Sequence, residues 1–241
     1  MLNLKRIVRI LLGKKLSSEE FVNHLRKIGI RVGDGCRFFD PESVVIDKQN
    51  PYMIILGNNV RITHGVVILT HDYSTSVIAG AYGDFYGSVG HVHIGNNVFV
   101  GINSIILKNT SIGDNVIIGA GSVISGNVES NAVYAGVPGK KIMSLDEFRN
   151  KVMSKQKSDM INIALHNHSS GNDFDEKIYN EYQFCYLKRE NPLPNSFLER
   201  IIRTGDRQKV LDRYRITKPI ITQSIDKFYI ESIKSESDKH L

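Results

Sequence analysis

Four histidines flank one stretch of the chain: His64 and His71 lie before it, and His91 and His93 at its end. Imidazole titrates near neutrality. A histidine beside a reacting hydroxyl can therefore take its proton, a contribution of typically about 10²–10⁴-fold. His71 opens the stretch within Thr70-His71-Asp72-Tyr73 and is the candidate general base. Asp72 is next to it, but neighbouring side chains on a strand point apart, so a backbone carbonyl is as good a partner for the ring. Histidines gathered at one loop also raise a metal, imidazole being a common metal ligand. The loop itself holds Gly80, Gly83, Gly87 and Gly90 with Tyr82, Phe85 and Tyr86, a composition able to build a binding face.

The elements that position these residues follow from charge and periodicity. The chain has 241 residues, 41% of them hydrophobic, with a net charge of +6 and two cysteines, Cys36 and Cys185. That suits a globular protein of one large domain, or one domain plus an appendage. Two distant cysteines make no disulfide framework, and a cytoplasmic location is expected. Residues 1–31 hold eight Lys/Arg and two Asp/Glu; the remainder holds 23 of each sign. An excess confined to one short segment argues against a nucleic-acid-binding face. Residues 32–142 contain 16 of the 20 glycines and 14 charged residues, whereas 143–241 contain two glycines and 32 charged residues. Three parts are expected: an N-terminal helical segment 1–31, a domain 32–142 with a loop 73–92, and a mostly helical extension 143–241.

The middle part repeats every six residues. Large apolar residues recur at Val32, Phe38, Val44, Leu56, Ile62 and Ile68, with Asn50 as a miss, and again at Ile94, Val100, Ile106, Ile112, Ile118 and Ile124. Gly often follows, and a small or β-branched residue stands four places later. Each unit reads as a short strand plus a corner. The large residue stacks on its copies inside the coil, and Asn and Gly supply the positive φ of the corners. Three units make one coil, and stacked coils share one core. The fold class expected is mainly β: a parallel β-helix with N-terminal helices and a C-terminal helical extension.

The stretches GNNVRITHGVVILTHDYS (57–74), HIGNNVFVG (93–101), IGDNVIIGAGSVIS (112–125) and AGVPGKKI (135–142) resemble the left-handed β-helix hexapeptide-repeat acyltransferases. Within them, the maltose, galactoside and nodulation O-acetyltransferase branch is the most similar. The resemblance implies acetyl-CoA as co-substrate, a homotrimer with sites between subunits, and a carbohydrate acceptor, as in bacterial surface polysaccharide synthesis. An N-acetyltransferase of an amino sugar and a non-catalytic scaffold are the rivals. The resemblance implies His71 as base and the backbone N–H of Ile102 as donor to the developing oxyanion. It also implies a coenzyme A track over Phe99, Gly101, Ala120, Ser122 and Ser125, with Lys140 and Lys141 toward the phosphates. Phe99 stands where many members carry Trp. The branch's acceptor-anchoring asparagine has no match in Phe38-Phe39-Asp40-Pro41-Glu42. Asp40 is the substitute, with Asp72, Tyr82, Phe85 and His93 as further acceptor contacts. The histidine spacing lacks the cluster of zinc-type carbonic anhydrases of this fold, so no metal is expected.

The flanks are less informative. Leu4, Ile7, Val8, Leu11 and Leu12 make one helical stripe, and Phe21, Leu25 and Ile28 a second, after a capping box at Ser17 and Glu20. Both helices pack on the main domain or a neighbour, or else residues 1–15 lie on an anionic membrane surface. There is no small-residue cleavage site to suggest a secretory signal. Beyond Met143 a helix is expected over Leu145–Met153, a polar connector over 154–172, and short helices near 174–189, 195–204, 206–215 and 222–234. This extension either covers the open end of the β-helix or binds the acceptor or a partner.

Overall fold

The computed structural model describes residues 16–188, 193–204 and 206–237. The first helical stripe and the membrane contact expected of residues 1–15 lie outside the described residues. The chain divides into two compact units, 1–148 and 149–241.

In the first unit, short strands wind into three parallel sheets. Sheet A holds β1 (Arg31–Val32), β4 (Ile54–Leu56), β7 (Val92–Ile94), β10 (Thr110–Ile112) and β13 (Asn127–Val128). Sheet B holds β2 (Arg37–Phe38), β5 (Arg61–Ile62), β8 (Phe99–Val100), β11 (Val116–Ile118) and β14 (Ala132–Ala135), closed by antiparallel β15 (Lys140–Ser144). Sheet C holds β3 (Val45–Ile46), β6 (Val67–Ile68), β9 (Ile105–Ile106) and β12 (Val123–Ile124). The parallel sheets and the six-residue repeat fit a left-handed β-helix.

The apolar columns are the repeat made physical. Val32, Leu56, Ile94, Ile112 and Val128 stack in register in sheet A, and Ile46, Ile68, Ile106 and Ile124 in sheet C. All are buried, and each fully buried aliphatic contributes roughly 1.5–3 kcal/mol. The first coil departs from the expected register. Ile46, not Val44, pairs with Ile68, because a turn over Asp40–Ser43 adds residues before β3. The Asn50 miss has a similar cause, a single 3₁₀ turn Pro51–Met53 set between coils. At the corners, Asn59, Asn97, Asn115 and Asn131 take φ of 54–58°. Their amides form a ladder, Asn97 donating to Asn115 at 2.9 Å and Asn115 to Asn131 at 3.0 Å.

Helix α1 (Ser18–Lys27) caps the first coil. Its capping box is formed by Ser17 and Glu20. It buries Phe21, Val22 and Leu25, and Phe21 meets Phe38 edge-on at 4.8 Å. Within the interruption, residues 75–82 form helix α2 (Thr75–Tyr82), which the six-residue pattern did not foresee.

The description "mainly β" fits residues 31–144 and not the whole chain. Helix α3 (Leu145–Ser169) alone has 25 residues, and it takes in all but the last three residues, 170–172, of the expected polar connector 154–172. In the second unit follow a 3₁₀ segment Glu176–Tyr182, α4 (Gln183–Tyr186), α5 (Asn195–Thr204), α6 (Arg207–Ile216) and α7 (Ile225–Ser237). They bury two clusters, one around Tyr179, Tyr186, Phe228 and Tyr229 and one around Phe197, Ile201 and Tyr214. Among the described residues no helix is long and apolar enough to cross a membrane.

Candidate functional site

The corners between sheets C and A stack into one edge of the β-helix. It carries Asp47 on the first coil, His71 on the second, Lys108 on the third and Ser125 on the fourth. His71 Nδ1 is hydrogen-bonded to Asp47 Oδ2. Among the described residues, the ring's hydrogen-bond partner is this carboxylate and neither that of Asp72 nor a backbone carbonyl. Asp47 leaves β3 one coil before His71 leaves β6, so coil stacking joins two residues 24 apart in sequence. The acidic residue ending the previous coil's strand was the available signal. The register through Val44 hid it.

The Asp47 side chain is only 4% exposed and that of His71 20%. Its carboxylate also accepts from Gln49 N at 2.9 Å, from Thr70 N at 3.1 Å and from Thr70 Oγ1. Burial works to raise the pKa of Asp47, but the hydrogen bonds from Thr70, Gln49 and His71 outweigh it and hold it down at about 2. A carboxylate that titrates lower in the fold than in the unfolded chain stabilises above the unfolded pKa near 4. That stabilisation, about 2 kcal/mol, is lost as pH falls through the folded value near 2. Thermal unfolding of wild type and Asp47→Asn should therefore differ most near neutrality and converge toward pH 2. A gap independent of pH would remove the carboxylate's charge from the explanation.

Asp72 has a different task. Its carboxylate binds Lys108 Nζ at 2.6 Å, Ser74 N at 2.9 Å and Ser88 Oγ at 3.1 Å. The Lys108 and Ser74 hydrogen bonds press its pKa well below the usual carboxylate range. It thereby ties both ends of the loop to the third coil. The backbone closes the same neck, with Gly90 N on Thr70 O at 2.8 Å and a bridge between His71 and Val89. Tyr82 and Phe85 are 79% and 92% exposed on this loop. The aromatic ring that touches His71 is Tyr73, edge-on at 5.2 Å, with its hydroxyl 3.1 Å from Gln49 Nε2. Tyr73 is thus a site residue beyond those expected from the spacing.

The expected coenzyme A track does not form one line on the chain. Gly101, Ile102 and Ala120 lie on the edge between sheets B and C, whereas Ser125 lies on the C/A edge with His71. Phe99 faces outward on sheet B and is 39% exposed. Ser122 is fully buried, its Oγ donating to Gly119 O at 2.6 Å and accepting from Gly136 N at 3.2 Å. Gly101 is glycine for coil packing, since a Cβ there would stand 2.5 Å from Ala120 N. Lys141 is paired with Glu129 at 2.7 Å, and Lys140 is exposed. Asp40 binds His64 Nδ1 at 2.7 Å on the B/C edge, apart from His71. His93 faces outward on sheet A between Ile55 and Ser111. Among the described residues, no group of three or more His, Cys, Asp or Glu is placed to hold a metal.

From Ile102 to Lys108, on His71's edge, the chain crosses one sheet face, up to about 20 Å at the rise of a strand. His71 and the Ile102 N–H of one chain thus stand on different edges.

The model for bacterial transferase hexapeptide (six repeats) matches residues 91–126. Protein CapG of Staphylococcus aureus is 40% identical over 150 residues, which cover 62% of this chain and 84% of CapG. Among solved structures, a hexapeptide-repeat-containing acetyltransferase from Vibrio cholerae aligns over 57% of this chain and 86% of its own, at 19% identity and a TM-score of 0.45. A maltose O-acetyltransferase from Clostridium difficile 630 aligns over 52% and 75%, at 25% identity and a TM-score of 0.38.

Proposed function

The chain belongs to the hexapeptide-repeat acyltransferases, and on that footing we propose that it is an acetyl-CoA-dependent O-acetyltransferase of a carbohydrate hydroxyl in bacterial surface polysaccharide synthesis. The observation that carries this reading is the imidazole of His71 held through Nδ1 by the buried carboxylate of Asp47. That bond places the proton of the neutral ring on Nδ1 and leaves the lone pair on Nε2.

Acetyl-CoA supplies the activated acyl group as its thioester. The acceptor hydroxyl gives its proton to His71 Nε2 as its oxygen attacks the thioester carbonyl; the C–S bond then breaks, the imidazolium returns the proton to the departing sulfur, and coenzyme A leaves as the thiol with no acyl-enzyme. A backbone N–H at the carbonyl oxygen is worth about 3 kcal/mol. The residues fit the co-substrate in part. Ile102 and Ala120 offer an exposed corner, and Lys140 an exposed cation, while Ser122 is enclosed. With the two edges of one chain apart, the reading assembles the site from His71 of one subunit and the partner subunit's Ile102, in a homotrimer.

The test is thiol release from acetyl-CoA with a panel of sugars, amino sugars and oligosaccharides. Release that depends on a hydroxyl acceptor and ignores the amine supports the reading. A strict requirement for the amine overturns O-transfer.

A further inference from the structure

The outer face of sheet B carries two arginines side by side. Arg37 and Arg61 are register partners on adjacent strands, and Phe99 is the next residue of that column. Adjacent strands lie about 4.8 Å apart, and like charges placed directly opposite destabilise a sheet. Among the described residues neither guanidinium forms an ion pair. The carboxylates that flank β2 are engaged elsewhere, Asp34 with Arg26 at 3.2 Å and Asp40 with His64 at 2.7 Å.

Both side chains are held in place. Arg61 is half-buried, with Nη1 donating to Asn59 O at 2.9 Å and a buried Nε that has no partner. Burial, together with the charge of Arg37, lowers its pKa. Arg37 lies over the Phe39 ring at 5.9 Å, a contact that fixes a guanidinium without neutralising it. Two fixed planar forks without a counter-charge match the paired oxygens of a carboxylate or a phosphate.

We infer that Arg37 and Arg61 form an oxyanion site that takes the acid group of the acceptor, a sugar carboxylate or a sugar-linked diphosphate. This rests on the O-acetyltransferase reading. The pair lies on the first two coils, which also supply Asp47 and His71, and continues the column of Phe99 away from Lys140. Sheet B lies across the coil from His71's edge, so in a site shared between subunits the pair meets the acceptor from the chain that supplies Ile102, not the one that supplies His71.

Calorimetric titration of the full-length protein at low salt tests this, with pyrophosphate, glucuronate and, as the neutral control, glucose. At least one anion should bind and glucose should not; the tighter anion identifies the acid group. Arg37→Met and Arg61→Met should each weaken binding at least about tenfold, and the double variant should abolish it. The double variant should melt no lower than wild type, since a like-charge stack is removed. Should it unfold, Arg61→Lys keeps the charge and loses the fork, and is expected to bind at least about threefold more weakly. Failure of both anions to bind overturns the proposal, as does unchanged binding in the double variant or in folded Arg61→Lys. Competitive displacement of the anion by acetyl-CoA also overturns it, because the pair then belongs to the co-substrate. His71→Ala should bind the anion like wild type. Loss of the catalytic reading, seen as unimpaired transfer by His71→Ala, is thus separable from loss of this one.

Discussion

Replacing His71 by Ala is expected to lower acceptor-dependent transfer at least about a hundredfold, within the range a positioned base contributes. The fold should survive, because the His71 side chain contributes nothing to the apolar columns and lies at a corner. Acetyl-CoA affinity should change little, since in the proposed reaction the ring acts on the acceptor's proton and not on the co-substrate. The decisive measurement is kcat with saturating acetyl-CoA, beside the melting temperature. A folded variant with unchanged kcat would place the base elsewhere. His64, held by Asp40 at 2.7 Å on the other edge, would then be the next residue to replace.

Asp47→Asn should damage both stability and turnover. The carboxylate meets donors from His71, Thr70 and Gln49 within a nearly closed pocket. An amide of the same shape turns an N–H₂ toward at least one of them. Leaving a buried donor unmet costs about 1–3 kcal/mol. The imidazole also loses the acceptor that fixes its tautomer. In the serine-protease triad the equivalent change drops kcat about 10⁴-fold; a loss on the order of 10²–10³ is expected here. On the proposed mechanism Asp47 acts through His71, so the KM for acetyl-CoA should stay near wild type while kcat falls. The double variant with His71→Ala should be no slower than His71→Ala alone. Additive losses would assign Asp47 a purely structural role.

Much of this was legible along the chain, for a physical reason. A six-residue repeat is a local property: each strand needs one large inward side chain, one small one and a corner that tolerates positive φ. Ile94 through Ile124 announce it without knowledge of any partner coil. The interruption after Ile68 likewise marks where the loop leaves, and His71 stands at its mouth. Helix α2 was hidden inside that loop because it has only eight residues, contains Gly80 and lacks a side-chain N-cap, so its start and stop signals are weak.

Contacts between coils were decided only in three dimensions. The turn over Asp40–Ser43 and the 3₁₀ turn Pro51–Met53 change the length of the first coil, so a fixed count of six misplaces its partners. Asp47 reaches His71 through stacking that depends on those lengths, and Asp72 reaches Lys108 across the next pair of coils. The track read as one line divides between two edges because six residues advance the chain by one face of the coil. Ser122, by contrast, points inward by the repeat itself: it is the small residue four places after Ile118, stacked beside Ser104 of the coil before. The repeating core and the histidine at the loop mouth follow from local spacing. The tertiary structure alone decided which carboxylate holds that histidine and which residues share its edge, because both depend on the length of every intervening turn.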